Sequence, residues 1–208
     1  MVYFVGIDPS INSTGICVKK YDGSNKVSEY FVILKPGYRQ KPKEKWLTKK
    51  EKIANESLVN FSYEFYNAEE LNVYEDMTHF QEYWKSFNMI NGANKVKDIV
   101  NKYTKDNPEK IFITIEGISY GSSIRTKSIY DLAGFNYLIR EKFIEEENIV
   151  FTIATPKEIK KFASGNGNAQ KDLLVNMFTI VFPEFSIIPK LDDICDAWFM
   201  SDFNNQYL

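Results

Sequence analysis

The chain has 208 residues, of which 44% are hydrophobic and 15% aromatic, ample for a packed core and too apolar for a disordered chain. Lys plus Arg number 26 against 28 Asp plus Glu, a formal charge of −2, so no uniformly basic surface exists and any site for a polyanion must be local. No run of about 18 apolar residues occurs, and Met1 to Ile7 reaches Asp8 without a basic stretch, so neither a membrane span nor a secretory signal is expected and a cytoplasmic protein is.

Val2 to Ile7, Gly15 to Lys19 and Glu29 to Leu34 are β-branched and aromatic runs bounded by turn residues, which predicts three consecutive strands. After Pro36-Gly37 the composition shifts: Lys35 to Lys52 holds eight basic residues against Glu44 and Glu51, a local +6. Trp46 to Glu70 and Phe80 to Tyr103 read as two helices, the second broken near Asn91-Gly92. Ile111 to Glu116 is a buried-type strand ending in a carboxylate, Ser123 to Glu147 a long helix, and Ile149 to Ile153 a fifth strand. Thr155-Pro156-Lys157-Glu158 opens a short helix with a capping-box spacing, and Asn168 to Phe182 and Leu191 to Phe203 supply two more. The expectation is one α/β domain over 1–208, with a mixed five-stranded sheet, helices on both faces and a basic, helical insertion at about 36–85. Cys17 and Cys195 lie in apolar runs without CxxC spacing and His79 is the single histidine, which speaks against a disulfide scaffold or a Cys/His zinc site.

Three acidic features stand where core-building sequence would not place a charge. Asp8 ends the first strand, Glu116 ends the fourth, and Asp193 and Asp196 share a face of the last helix. Each has an ordinary explanation taken alone. Asp8 before Pro9 can open a turn, and Asp192 and Asp193 can serve a helix start. If the first and fourth strands are neighbours with their carboxyl ends together, however, the acids converge, and such a cluster persists mainly when hard cations neutralise it. That arrangement suits two-metal hydrolysis of a phosphodiester.

In the same order along the chain, Gly6-Ile7-Asp8-Pro9-Ser10-Ile11-Asn12-Ser13-Thr14-Gly15, Ile115-Glu116-Gly117-Ile118, Thr155 to Lys161, Gly165 to Lys171 and Asp193-Ile194-Cys195-Asp196-Ala197 resemble the motifs of the RuvC-type Holliday-junction resolvases of the ribonuclease-H-like superfamily. The stretch from Pro36 to Lys85 looks longer than in the bacterial members, which fits a phage-type relative acting in the cytoplasm of a bacterial host. The resemblance implies a metal-dependent endonuclease that resolves four-way DNA junctions. Asp8, Glu116, Asp193 and Asp196 would be the catalytic metal ligands, with two Mg2+ ions, for which Mn2+ would substitute, and Lys171 would stabilise charge on the phosphate. Whether Asp192 or Asp193 is the ligand stays open.

The loop after Glu116 offers Tyr120, Arg125 and Lys127 as contacts to bases and phosphates at a branch point, and Lys157, Lys160 and Lys161 lie near the Gly165-Asn166-Gly167 turn. Lys41, Lys43 and Lys45 form the centre of the basic run, read either as a solvated face or as a contact to a duplex arm. Two symmetric cuts in a four-way junction require two active sites, hence a homodimer, for which the Ser123 to Glu147 helix, apolar over a wide arc, is the candidate interface. A non-catalytic branched-DNA binder, or a nuclease of the same fold acting on other branched or hybrid nucleic acids, is the alternative. An actin-like ATPase would need a second lobe and adenosine motif that 208 residues do not show.

Overall fold

A computed structural model describes residues 1–71, 78–105, 108–118 and 126–207. A six-stranded mixed sheet is built from β1 (Val2–Asp8), β2 (Thr14–Asp22), β3 (Asn25–Tyr38), β4 (Phe61–Ala68), β5 (Lys110–Glu116) and β6 (Ile149–Ala154), in the order β4-β3-β2-β1-β5-β6. β1, β2 and β3 form an antiparallel meander, whereas β5 and β6 run parallel to β1, and β4 runs parallel to β3. The sheet's period of two sorts β1 cleanly: Tyr3, Val5 and Ile7 enter one buried cluster, which leaves Phe4, Gly6 and Asp8 on the opposite face.

Helices cover both faces, as expected from sequence. On the Tyr3 face lie α2 (Thr78–Tyr103) and α3 (Thr126–Glu141), packed against each other and on the sheet through Ala93, Val96, Phe135 and Ile139. The other face is covered by α1 (Lys49–Ser57), α4 (Pro156–Ser164), α5 (Lys171–Val181) and α6 (Leu191–Phe203). The predicted capping box is present at α4, where Thr155 and Glu158 cap each other reciprocally, and a second one, Thr48 with Glu51, starts α1.

Three expectations need correction. The sheet has six strands rather than five, because Trp46 to Glu70 is not one helix. After a short 3₁₀ turn at Lys43–Lys45, it divides into α1 and the edge strand β4. The charges of that stretch suggested helix, but Phe61, Tyr63 and Tyr66 are carried at strand positions into the two cores, and tertiary burial overrides propensity. The helix at Phe80 to Tyr103 is continuous through Gly92, where a Cβ would come within 2.9 Å of the Phe135 ring, so this glycine marks close helix packing rather than a break. Finally, the helix predicted from Ser123 to Glu147 ends at Glu141; Phe135 and Ile139 of its apolar arc are buried against the sheet, and Tyr130 and Tyr137 are 72% and 59% exposed in the single chain.

Candidate active site

The site forms where three elements end or begin. β1 stops because Pro9 has no N–H to continue the ladder, and Asp8 is its last residue, paired with Gly15 of β2. The 9–13 turn is closed by Thr14, whose hydroxyl donates to the Ser10 carbonyl at 2.7 Å and accepts from the Ser10 amide at 3.3 Å. β5 lies beside β1 in parallel register, with Ile7 opposite Ile115. Glu116 therefore follows at the level of Asp8 and on the same face, with strands about 4.8 Å apart.

Two glycines bring the third element down onto these carboxylates. A Cβ on Gly6 would sit 1.9 Å from the Ala197 carbonyl oxygen, and one on Gly15 would sit 2.0 Å from the Asp193 carbonyl oxygen. Any larger residue at either position would lift α6 off the sheet. With glycine there, α6 rests on β2 through its first turn and on β1 through Ala197, which brings Asp193 and Asp196 to the Asp8–Glu116 pair.

The electrostatics follow from burial of like charges. Burial pushes Asp8 well above the usual carboxylate range, and Glu116, Asp196 and Asp193 push it further the same way. Glu116 is also raised by burial, against the opposing pull of its hydrogen bond with Asp8 and of Lys171 and Lys160. Asp196 is pushed up to about 6 by burial; Lys171 counteracts, while Glu116, Asp192 and Asp193 add to the rise. Asp193 is raised by burial too, partly offset by the Ser13 hydroxyl, which donates to its Oδ2 at 2.5 Å. Lys171 at the start of α5 is the nearby cation, with its Nζ 2.5 Å from Asp192 and 3.9 Å from Asp196.

Among the described residues, no three of these acids are gathered closely enough to form a coordination sphere as they stand. Asp8 and Glu116 bond to each other, Asp193 bonds to Ser13, and Asp192 and Asp196 face Lys171. The donor set nevertheless suits a hard divalent cation: it is all carboxylate oxygen and largely buried, with Lys171 as its closest cation.

The predicted residues thus divide. Asp8, Glu116, Asp193, Asp196 and Lys171 are brought together, and Asp192 is the partner of Lys171. Lys157, Lys160 and Lys161 ride on α4 beside them, with Lys160 close enough to act electrostatically on Glu116. Tyr120 and Arg125 lie outside the described residues, and Lys127 is described only as backbone within α3. The basic run is partly neutralised within the fold: Lys35 pairs with Glu51, Arg39 with Glu69, and Lys41 with Glu70 at 2.9 Å. Lys43 and Lys45 are exposed on the 3₁₀ turn beside Trp46.

Three residues that sequence reasoning passed over also serve the site. Ser13 holds Asp193. Tyr66 of β4, buried so that its hydroxyl resists ionisation, donates to the Ile11 carbonyl at 2.9 Å and so ties the added strand to the turn after Asp8. Asn136 of α3 donates to the Glu116 carbonyl at 2.7 Å. Ser13 at least lay inside a recognisable motif. Tyr66 was hidden in a stretch read as helix, and nothing in the local sequence links Asn136 to a strand 20 residues earlier.

The architecture is similar to that of solved resolvases. Thermus thermophilus RuvC in complex with a Holliday junction substrate matches with a TM-score of 0.52 at 14% identity, covering 100% of this chain and 94% of that one. A structure of Thermus thermophilus RuvC gives 0.49 at 14% identity, covering 99% of this chain and 96% of that one. The yeast mitochondrial Holliday junction resolvase Ydc2 gives 0.48 at 13%, covering 100% and 84%. No protein-family model and no curated protein matches the sequence. The likeness is one of fold: the chain has the RuvC-type, ribonuclease-H-like arrangement of sheet and helices.

Proposed function

We propose that this chain is a metal-dependent, structure-selective endonuclease that cuts branched DNA, with the four-way junction as its substrate. The observation that carries the reading is the convergence of Asp8, Glu116, Asp193 and Asp196 from two adjacent strand ends and one helix start, largely buried, with Lys171 as the closest cation. A purely structural cluster or a passive DNA-binding surface gains nothing from such repulsion, and a phosphate would be turned away by it. The fold likeness to RuvC bound to a Holliday junction supports the same reading.

Asp8, Glu116, Asp193 and Asp196 would hold two magnesium ions, which when bound supply an acidified water and charge stabilisation for the leaving oxygen. The chain's own residues do the rest. Ser13 holds the Asp193 carboxylate, and Asn136 and Tyr66 fix the backbone on either side of the carboxylate pair. Lys171 sits where its ammonium can move from Asp192 to an incoming phosphate. Lys157, Lys160 and Lys161 extend the positive border along α4, and Lys43 and Lys45 offer a second contact for a duplex arm.

Paired incision requires two copies. The α2–α3 face fits that role, with a shallow groove lined by Met89, Ile90, Tyr137 and Leu138 and with Tyr130 and Ile144 exposed beside it. The deciding experiment incubates the protein in magnesium with labelled four-way junction, duplex, flap and RNA–DNA hybrid. Selective, paired nicking of the four-way junction is expected, and no cutting of any substrate would overturn the nuclease reading. Light scattering at micromolar concentration should give twice the chain mass; a strict monomer with and without junction would remove the basis for symmetric incision.

A further inference from the structure

Toward the end of the sheet away from the carboxylates lies a pocket of about 250 Å³ that none of the steps above employs. Three tyrosines and three lysines line it: Tyr3, Lys20, Tyr30, Lys102, Tyr103 and Lys105. Strand pairing explains why they meet. Tyr3 of β1 lies opposite Lys20 of β2, and Tyr30 of β3 lies opposite Val18, two residues from Lys20, so all three side chains stand on one face of the sheet. α2 ends over that face and contributes Lys102, Tyr103 and, just past the helix, Lys105. Tyr3 precedes Asp8 by five residues on β1, about 17 Å along the strand. Tyr3 is fully buried and forms the floor. Tyr30 and Tyr103 stack above it, with ring centres 4.7 Å apart and planes 28° from parallel. The Lys20 ammonium lies 5.8 Å from the centre of the Tyr3 ring, and that of Lys102 lies 5.0 Å from Tyr103. Lys102 is held by Glu64 at 2.9 Å, whereas Lys105 is exposed and carries no ion pair among the described residues. Lys102 and Lys105 stand where cations offset a helix C-terminus, but Lys20 comes from a strand and adds an ammonium that the helix dipole does not call for.

We infer that this pocket binds one nucleotide, its base lying against the Tyr30–Tyr103 pair and its phosphate held between the ammoniums of Lys20 and Lys105. Tyrosine faces stack with any base, and lysine holds a phosphate as a point charge. A bare anion would leave the aromatic lining unused, and an apolar ligand would leave the lysines without an anion. The ligand that uses both halves carries a flat ring and a negative group together. The pocket is also at the lower edge of the roughly 300–1,000 Å³ of drug-sized sites, room for one such unit and not for several. The site is separate from the carboxylates, and the inference stands independently of the nuclease reading. The nucleotide is either free in solution or part of a single-stranded DNA segment, since the same contacts serve both.

The test is amide NMR on the full chain in chelator, which keeps the carboxylate site repulsive to phosphate. Deoxyadenosine monophosphate, deoxyadenosine, inorganic phosphate, a short oligothymidylate and a short acidic peptide ending in phenylalanine are titrated separately. The monophosphate, the oligothymidylate or both should shift the amides of Lys20, Tyr30 and Lys105 and leave those of Asp8 and Glu116 in place. Deoxyadenosine and inorganic phosphate should each bind at least about tenfold more weakly than the better nucleotide probe, because each loses either the ion pair or the stack. Tighter binding of the oligothymidylate than of the monophosphate assigns the site to a DNA strand, and the reverse assigns it to a free nucleotide. Tyr103→Leu should lower affinity for the better nucleotide probe by about tenfold, and Lys105→Gln, at an exposed position, by about fivefold. If Tyr103→Leu melts below the wild type, Lys105→Gln decides. No shift at these amides with either nucleotide probe would overturn the inference. So would inorganic phosphate or the acidic peptide binding as tightly as the better nucleotide probe, or an affinity that Lys105→Gln leaves unchanged.

Discussion

Helix α6 carries two buried groups of charge, one in its first turn and one in its last, and they are built on opposite principles. Toward its C-terminus, Lys19 of β2 is 1% exposed and lies 2.7 Å from Asp202 and 3.4 Å from Glu29, with its ammonium 4.4 Å from the centre of the Trp198 ring. Glu29 accepts in turn from the Trp198 indole at 2.7 Å and pairs with Lys26 at 2.8 Å. Two cations face two anions, and every member has partners inside the chain. At the N-terminal end, Asp8, Glu116, Asp193 and Asp196 have Lys171 as their closest cation, with Lys160 and Lys190 acting on single members, and burial raises all four carboxylates. The first group is closed by its own residues and serves the fold. The second keeps an excess of carboxylates, which is the feature the proposed metal site rests on.

The largest effect separating the two should come from Asp8→Asn. Removing one ligand of the carboxylate group should lower junction cutting by at least about a thousandfold, while junction binding in calcium survives or tightens because one repelling charge is gone. Gel-shift and cleavage assays on the same preparation check this, and normal turnover would break the contrast. Lys19→Met is the matching change at the other end. It strands Glu29 and Asp202 without their buried cation and should cost about 3–5 kcal/mol, read by denaturant unfolding. A cost near zero would show that this group does not support the fold.

The pH dependence of stability should also set the two apart. Folded-state pKa values raised above the unfolded value of about 4 mean that the folded chain binds more protons, so the stabilisation is complete below about pH 4 and is lost as pH rises through the folded value. For Asp196 that value is about 6, worth roughly 2–3 kcal/mol between the limits. In chelator, the protein should unfold at higher temperature at pH 5.5 than at pH 7.5, and calcium should narrow the difference by neutralising the acids at the higher pH. A melting temperature that rises with pH in chelator would contradict the sign. The smallest effect is expected from Ser13→Ala. Loss of the hydroxyl that donates to Asp193 should raise that carboxyl's pKa further, visible by carboxyl carbon NMR.

Much of this was legible along the chain. The strand ending at Asp8, the strand ending at Glu116, the capping box at Thr155 and the extent of the last helix follow from local pattern, because period, turn chemistry and caps act over a few residues. β4 was not legible. Phe61 to Ala68 follows the charged, helix-forming stretch without a Gly or Pro to mark a boundary, and its strand state is decided by pairing with β3 and by burial of its aromatic side chains from both faces. The basic run is a similar case: its composition announces +6, but only the fold shows that Lys35, Arg39 and Lys41 are held by Glu51, Glu69 and Glu70.

The sequence by itself determined which carboxylates stand at element ends and in what order, since a charge closing an apolar strand is a local anomaly that needs no partner to be noticed. What only the tertiary structure decided is their mutual distance and company. Parallel pairing of β1 with β5 puts Asp8 beside Glu116, and the missing side chains of Gly6 and Gly15 let α6 settle onto the sheet. Ser13, Tyr66 and Asn136 then arrive from elsewhere in the chain to hold the pieces in place. Close approach between elements distant in sequence is a property of packing, to which each residue contributes its volume and its hydrogen bonds but which no local window of sequence contains.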